Sequence, residues 1–517
     1  MNVKQTQTAV VPPAASRLNG DGTFTNPFIW ADIPDLDVIR VGNIYYMTST
    51  TMYFSPGCPV MKSFDLVNWE IVNYVYDILD DSDSFTLRNG KHAYGQGSWA
   101  SSLRYHNGTY YVALAANNTG KTYIFQTEDI ENGPWRRYTL DGIYHDMSLL
   151  FDDDGRVYMV YGGGQIKVIE LTADATRIKP GGLNKVIIEN ADISGGNSLA
   201  EGSHIYKLNG RYYLFIIGWP RTGTARRIEV CYRSDSIDGE YEGRVILDDN
   251  MGFQNAGIAQ GGIVNTPDGE WFALLFQDHG AVGRIPVLVP VRWENDFPVF
   301  GVEGKVPEKM TIPILGFGTK SIVISDDFNG ANLALEWQWN HNPDNRYWSL
   351  TERSGYLRLT TGIVSHDIIN ARNTLTQRTF GPECSGYVSI DISNMRNGDT
   401  AGLSALQEYY GFVGVKMAGN EKYIIMVNAD SGQAQEIESA PLTQDIIWLK
   451  IDFDFKDALD EADFYYSLDG AHWHKIGSTL KMSYRLSHFT GYRFALFNYA
   501  TKIIGGYVDF DYFRVSK

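Results

Sequence analysis

The stretch "SHIYKLNGRYYLFIIG" (Ser203–Gly218) decides how this chain folds. Two runs of aromatic and β-branched residues flank Asn209-Gly210, a pair that accepts the positive φ angles of a tight hairpin turn. The stretch reads as two antiparallel strands. Working outward, four further segments carry the same design: "VIRVGNIYYMTST" (Val38–Thr50), "SLRYHNGTYYVALAA" (Ser102–Ala116), "SLLFDDDGRVYMVYG" (Ser148–Gly162) and "GGIVNTPDGEWFALLF" (Gly261–Phe276). A more polar strand region follows each, such as "SFDLVNWEIV" (Ser63–Val72) or "TEDIENGPWRRYTL" (Thr127–Leu140). The repeats start at residues 38, 102, 148, 203 and 261. That spacing of roughly 45–65 residues is what one four-stranded blade takes up, so five repeats make a five-bladed β-propeller. A β-sandwich with recurrent hairpins is the alternative, and the regular spacing favours the propeller.

From about Lys320 the repeat stops. "SDDFNG" (Ser325–Gly330) opens a region of short alternating strands, among them "GYVSIDIS", "KYIIMVN", "IWLKIDFDF" and "GYVDFDYFRVS". Strands at short intervals without helical periodicity predict a β-sandwich of the jelly-roll kind. The chain therefore divides into an N-terminal extension (1–25), a propeller (26–301), a Pro- and Gly-containing linker (302–321) and a sandwich (322–517), an all-β protein throughout.

Composition agrees and narrows the function. At 517 residues the chain is too long for one core. Its aromatic share of 13%, with 32 Tyr and 12 Trp, suits many strands and also sugar-stacking surfaces. A net charge of −17 argues against a nucleic-acid partner, which would demand clustered Lys and Arg. Cys58, Cys231 and Cys384 are too few and too scattered for a disulfide framework or a zinc site. No run of about 18 apolar residues predicts a membrane span. The first twenty residues carry one Lys and a short "AVV" rather than a signal-peptide core, so the sequence as it stands reads as cytoplasmic, and as secreted if a signal peptide has been removed.

Three acidic residues stand at the heads of hairpins in different blades: Asp35 before "VIRVG", Asp146 before "SLLFDDDG" and Glu201 before "SHIYKLNG". Any one alone reads as a solvated acid at a strand end. In a propeller, however, the starts of the innermost strands line the central channel, so the three converge. Carboxylates in one pocket are what hydrolysis of a glycosidic bond requires: one activates water, one donates a proton to the leaving oxygen, and a third orients and tunes the donor. Asp32 and Asp37, which flank Asp35, read as supports. Asp32 is a partner of the base or a turn cap, and Asp37 caps the strand start or faces the opposite pleat.

The motifs "ADIPDLDVIRVGNIYYMTSTT", "GSWASSLRYHNGTYYV", "HDMSLLFDDDG", "AEGSHIYKLNGRYYLF" and "QGGIVNTPDGEWFALLFQDHGAVGRIPVLVPVRW" occur in order from about Asn26 to Phe300. Together they resemble glycoside hydrolase family 43, five-bladed propellers that act mainly as β-xylosidases, α-L-arabinofuranosidases and arabinanases. The C-terminal region resembles the concanavalin-like sandwich appended to exo-acting xylosidases of that family. The resemblance implies an inverting mechanism with Asp35 as general base, Asp146 as the residue that orients the acid and raises its pKa, and Glu201 as general acid. Leu36, Met147 and Ser203 stand where the family's motifs carry Pro. The implied substrate is an oligosaccharide or hemicellulose fragment that loses a terminal xylose or arabinofuranose. An endo-arabinanase with an open groove and a non-catalytic carbohydrate-binding propeller are the other readings.

By the same resemblance, Trp99 in "GSWASS" stacks on a sugar, Arg284 in "GAVGRIPVL" binds sugar hydroxyls, and Gln260 lines the channel. Phe489 in "HFTGYRFALF" closes the pocket from the sandwich. His279 in "FQDHG" resembles a channel histidine that binds a cation through water. In the sandwich, Asp326 and Asp327 near its start and Asp509 and Asp511 near its end set up an oxygen-ligand Ca²⁺ site, with Asp327 and Asp511 as ligands. No organic cofactor is implied. "DDDG" (Asp152–Gly155) lacks calcium-loop spacing and reads as a hairpin turn.

Overall fold

In a computed structural model, residues 16–194, 199–221 and 223–517 are described. Most of the N-terminal extension, residues 1–15, therefore lies outside the described residues. Five four-stranded antiparallel sheets follow one another along the chain, each built from consecutive strands. Their first strands are Asp37–Val41, Ser98–His106, Ser148–Phe151, Ala200–Leu208 and Ala259–Asn265. These five touch in cyclic order, the last returning to the first, which closes the ring and makes them the inner strands of a five-bladed propeller. Among the described residues there is no α-helix, only three single-turn 3-10 segments.

The hairpins form for the reason their sequences indicate. Asn107-Gly108 and Asn209-Gly210 both take positive φ at each position, 47° and 83° in the first pair and 53° and 81° in the second. That geometry matches a two-residue turn to the twist of the flanking strands. The strand Arg211–Gly218 is buried at every position after the first, because both faces of a blade pack on neighbouring blades. The three cysteines are buried and unpaired.

The propeller axis is filled rather than open. Asp37, with no exposed surface, accepts hydrogen bonds from Arg104 Nη1 at 2.7 Å and from the Leu103 amide at 2.8 Å, and lies 3.2 Å from His204 Nδ1. Arg104 in turn donates to the Leu149 carbonyl at 2.8 Å and to Ser148 Oγ at 2.7 Å. Its guanidinium lies 5.0 Å from the Tyr206 ring, whose hydroxyl accepts from the Ile263 amide at 3.1 Å. The fifth blade closes in with Gly262, where a Cβ would stand 2.8 Å from Asp37 Oδ1. One buried ion pair thus touches all five blades.

The linker is partly structured, since its strand Lys309–Thr311 pairs with Thr23–Ile29. The C-terminal region forms a seven-stranded and an eight-stranded sheet packed face to face. It is docked firmly on blade one: Ser55 and Trp339 exchange backbone hydrogen bonds at 3.1 and 2.6 Å. Tyr53 stacks on His341, with centroids 4.8 Å apart. A buried hydrophobic core runs from Phe28 and Met47 of the propeller into Phe494 and Phe513 of the sandwich.

Candidate active site

The three hairpin-heading carboxylates meet at one end of the inner ring. Asp35 stands in the loop before the inner strand of blade one, Asp146 in the loop before that of blade three, and Glu201 at the second residue of blade four. Four residues singled out from the sequence hold left-handed backbone here: Asp35 (φ 49°), Asp146 (45°), Gln260 (65°) and Phe489 (60°). Such conformations cost about 1–3 kcal/mol each and persist where the surroundings over-determine them, which happens most at functional sites. Gly202 follows Glu201 at φ 74°, and a Cβ there would come within 2.7 Å of Gln260 Cδ, so only glycine lets the two pack.

Arg284 leads the third strand of blade five and donates from Nη1 to Asp35 Oδ1 at 2.7 Å. Burial raises the Asp35 pKa, and the Arg284 charge opposes that rise. Opposite stand His145, Asp146 and Glu201, whose ligand-capable atoms all lie within 4.8 Å of one another. His145 Nε2 is 2.7 Å from Glu201 Oε2 and 3.7 Å from Asp146 Oδ2. Burial pushes the Asp146 carboxyl up to about 7, with His145 opposing and Glu201 and Asp35 adding to the rise. Burial depresses His145, but its hydrogen bond to Glu201 and the surrounding carboxylates outweigh that and carry it up to about 9.

Aromatic walls complete the pocket. Trp99 stacks on Phe489 with centroids 5.5 Å apart and planes 20° apart. The Arg284 guanidinium lies 4.4 Å from the Phe489 ring, and Tyr484 meets that ring edge-on at 6.3 Å. Phe489 and Tyr484 belong to the sandwich, which therefore supplies one wall. Asp32 secures that wall: its carboxylate accepts from the Gly491 amide at 2.9 Å and from the Arg284 amide at 2.8 Å. Both Asp32 and Asp37 are supports, as expected, but the first joins two domains and the second joins the blades.

Trp99, Arg284, Gln260 and Phe489 therefore all gather around the trio. The sequence reading missed four neighbours. His145 carried one signal, its place directly before Asp146. Asp278, in the quoted "QDHG", lies 3.4 Å from Arg284 Nε and pairs with Arg227. Arg227 and Tyr484 carried no local signal. Burial, helped by the Arg284 charge, lowers the Arg227 pKa to about 9.

The expected metal ligands do not assemble. Successive residues point to opposite sides, so Asp278 turns toward Arg284 while His279 turns away from it. His279 lies 2.7 Å from Gln277 Oε1 and stacks on Phe253 at 3.9 Å. In the sandwich, Asp327 pairs with Arg514, and Asp509 takes Arg358 at 2.7 Å and Arg353 at 3.1 Å. Arginines neutralise acids that were expected to hold a cation. Among the described residues, neither His279 nor Asp327 nor Asp511 belongs to a group of three metal-ligating side chains. Calcium takes six to eight oxygens, and the sandwich acids Asp327 and Asp509, already held by arginines, do not offer that set.

The family model described as "Glycosyl hydrolases family 43" matches residues 24–298, and that of the "Beta xylosidase C-terminal Concanavalin A-like domain" matches residues 325–516. A solved structure described as a bifunctional GH43-CE protein of Bacteroides eggerthii superposes with a TM-score of 0.91 at 52% identity over 97% of this chain. The chain spans 64% of that protein's length. A β-xylosidase of Formosa agariphila is 28% identical, covering 96% of this chain and 90% of its own. A non-reducing end α-L-arabinofuranosidase of Bacteroides ovatus is 32% identical, covering 74% of this chain and 73% of its own.

Proposed function

Because the chain belongs to glycoside hydrolase family 43, we propose that it removes terminal xylose or arabinofuranose units from hemicellulose fragments by a single inverting displacement. The observation that carries this reading is the meeting of Asp35, Asp146 and Glu201 from three blades in a pocket walled by the sandwich residues Phe489 and Tyr484. Asp35 takes a proton from the attacking water, whose oxygen bonds to the anomeric carbon. Glu201 protonates the departing glycosidic oxygen as its bond to that carbon breaks. Arg284 keeps the Asp35 carboxylate turned to its task, and Asp146 and His145 flank Glu201. Trp99 offers a flat face for the sugar. A wall contributed by a second domain favours end-on attack over an open endo-acting groove. A purely sugar-binding propeller would have no use for two carboxyls whose pKa values burial raises.

The test is hydrolysis of nitrophenyl β-xyloside and nitrophenyl α-L-arabinofuranoside, with early products followed by NMR and products from polymer sized. Release of single pentoses with inverted configuration is the expected result; retained configuration would overturn the mechanism, and long products from polymer would overturn exo action. The relative rate on the two pentosides sets the substrate preference.

Two further outcomes follow at this site. Phe489→Ala removes a ring stacked on Trp99 and Arg284, so KM should rise about 5- to 10-fold, since such contacts are worth about 1 kcal/mol. The acid limb of kcat/KM should lie above the ordinary aspartate range. Asp35 works only when ionised, and burial raises its pKa, so activity is lost as pH falls through that raised value. An acid limb at or below the ordinary aspartate value would contradict the assignment.

A further inference from the structure

We propose that His145 is a positioning residue that fixes the Glu201 carboxyl and returns a proton to it after each turnover, an inference that rests on the role of Glu201 given above. The geometry is specific. His145 Nε2 faces Glu201 Oε2 at 2.7 Å, a full hydrogen bond, whereas Asp146 Oδ2 is 3.7 Å away. The ring sits beside the pocket, 6.0 Å from the Trp99 ring on blade two. Gly163 of blade three lies against both partners: a Cβ there would stand in ordinary contact, 3.6 Å from His145 Cδ2 and 3.8 Å from Glu201 Oε2.

Exposure sets the direction of proton traffic. The His145 side chain is 33% exposed, that of Glu201 19% and that of Asp146 6%. Of the three, the imidazole has the best access to solvent and the most buried carboxyl the worst. The charged or titratable groups that act on it are Asp146 from its own loop, Glu201 from blade four and Asp35 from blade one. All three favour an imidazolium, and Arg284 is already engaged with Asp35.

The proton count closes. During bond cleavage Glu201 gives its proton to the leaving oxygen, and the attacking water gives one to Asp35. The Glu201 carboxylate then draws on the proton of the His145 imidazolium across the 2.7 Å contact, a transfer against the raised imidazolium pKa that is completed as the next leaving oxygen takes the proton on from Glu201. The neutral imidazole is recharged from solvent while Asp35 releases its proton to solvent, so the net reaction consumes one water. In this scheme His145 acts through Glu201 rather than on the breaking bond.

The test compares the wild type with His145→Gln, which keeps a hydrogen-bond donor but cannot titrate, and His145→Ala. Each is assayed on two aglycones of the pentoside that the wild type cleaves. One is 2,4-dinitrophenol, which leaves without protonation, and the other is a sugar alcohol, which needs the general acid. Both variants should lose at least tenfold more kcat on the sugar aglycone than on dinitrophenol, within the range of about 10²–10⁴ that acid–base assistance supplies. KM should change little, and the alkaline limb of kcat on the sugar aglycone should move to lower pH by about one unit or more. Residual turnover of the dinitrophenyl substrate serves as the check on folding. Equal losses on both aglycones, or an alkaline limb that does not move, would overturn the inference while leaving the proposed function intact. Wild-type inactivity on every pentoside would overturn both.

Discussion

Replacement of Asp35 by Asn is expected to lower kcat by about 10³-fold, the middle of the range that a positioned general base supplies. The substitution is nearly isosteric, so the loss measures the proton acceptor rather than the packing. Arg284 Nη1, which now donates to Asp35 Oδ1 at 2.7 Å, can still donate to the amide oxygen. What disappears is an oxygen that can take up a proton when water attacks. Because the base acts in the transition state, kcat and kcat/KM should fall together while KM changes little. Near-wild-type turnover by Asp35→Asn would remove Asp35 from the mechanism. The dinitrophenyl substrate separates this variant from Glu201→Gln: the base is needed for every aglycone, so Asp35→Asn loses activity on both, whereas Glu201→Gln is rescued by the good leaving group.

Loss of the neighbouring Asp37 should unfold rather than inactivate. Asp37→Ala leaves Arg104 buried in the axis with its counter-ion gone, and breaking a buried pair from one side costs about 3–5 kcal/mol. Every blade touches this cluster, so the ring as a whole bears the loss. A fall in the thermal midpoint on the order of 5 °C or more is expected. A midpoint unchanged within error would show that the axis holds without the pair. Acid sensitivity gives an independent reading. Burial alone would raise the Asp37 pKa, but the Arg104 charge, then His204 and the Leu103 amide, carry it down to about 2. A carboxyl held below its unfolded value contributes stability above that value and loses it as pH falls. The wild type should therefore lose stability progressively as pH falls from the ordinary aspartate value toward about 2, and Asp37→Asn should lack that component in the same window.

Asp32, Asp35 and Asp37 lie within six residues of one another and do three different things. The local pattern could say that charge at the mouth of an apolar strand calls for a reason beyond stability. It could also say that Asp35 heads the strand. It could not say that Asp32 would reach the Gly491 amide, 459 residues away, or that Asp37 would find Arg104, 67 residues on. The same limit explains His145, Arg227 and Tyr484, which become site neighbours only when the blades and the sandwich close around them. It explains the metal ligands as well. The acids were where they were expected along the chain, but the arginines that neutralise Asp327 and Asp509 come from distant parts of it.

What the amino-acid order settled by itself is everything governed by neighbours along the chain. Asn-Gly pairs dictate turns, alternating and continuous apolar runs dictate strands buried on both faces, and five evenly spaced repeats dictate a ring with its carboxylates at the channel. The tertiary structure alone decided which groups share protons and charge: His145 with Glu201, Arg284 with Asp35, Arg104 with Asp37. The reason is physical. Backbone conformation follows from local sterics and hydrogen bonding, whereas a hydrogen bond or an ion pair exists only within about 3–4 Å, a distance set between segments by the packing of the whole ring.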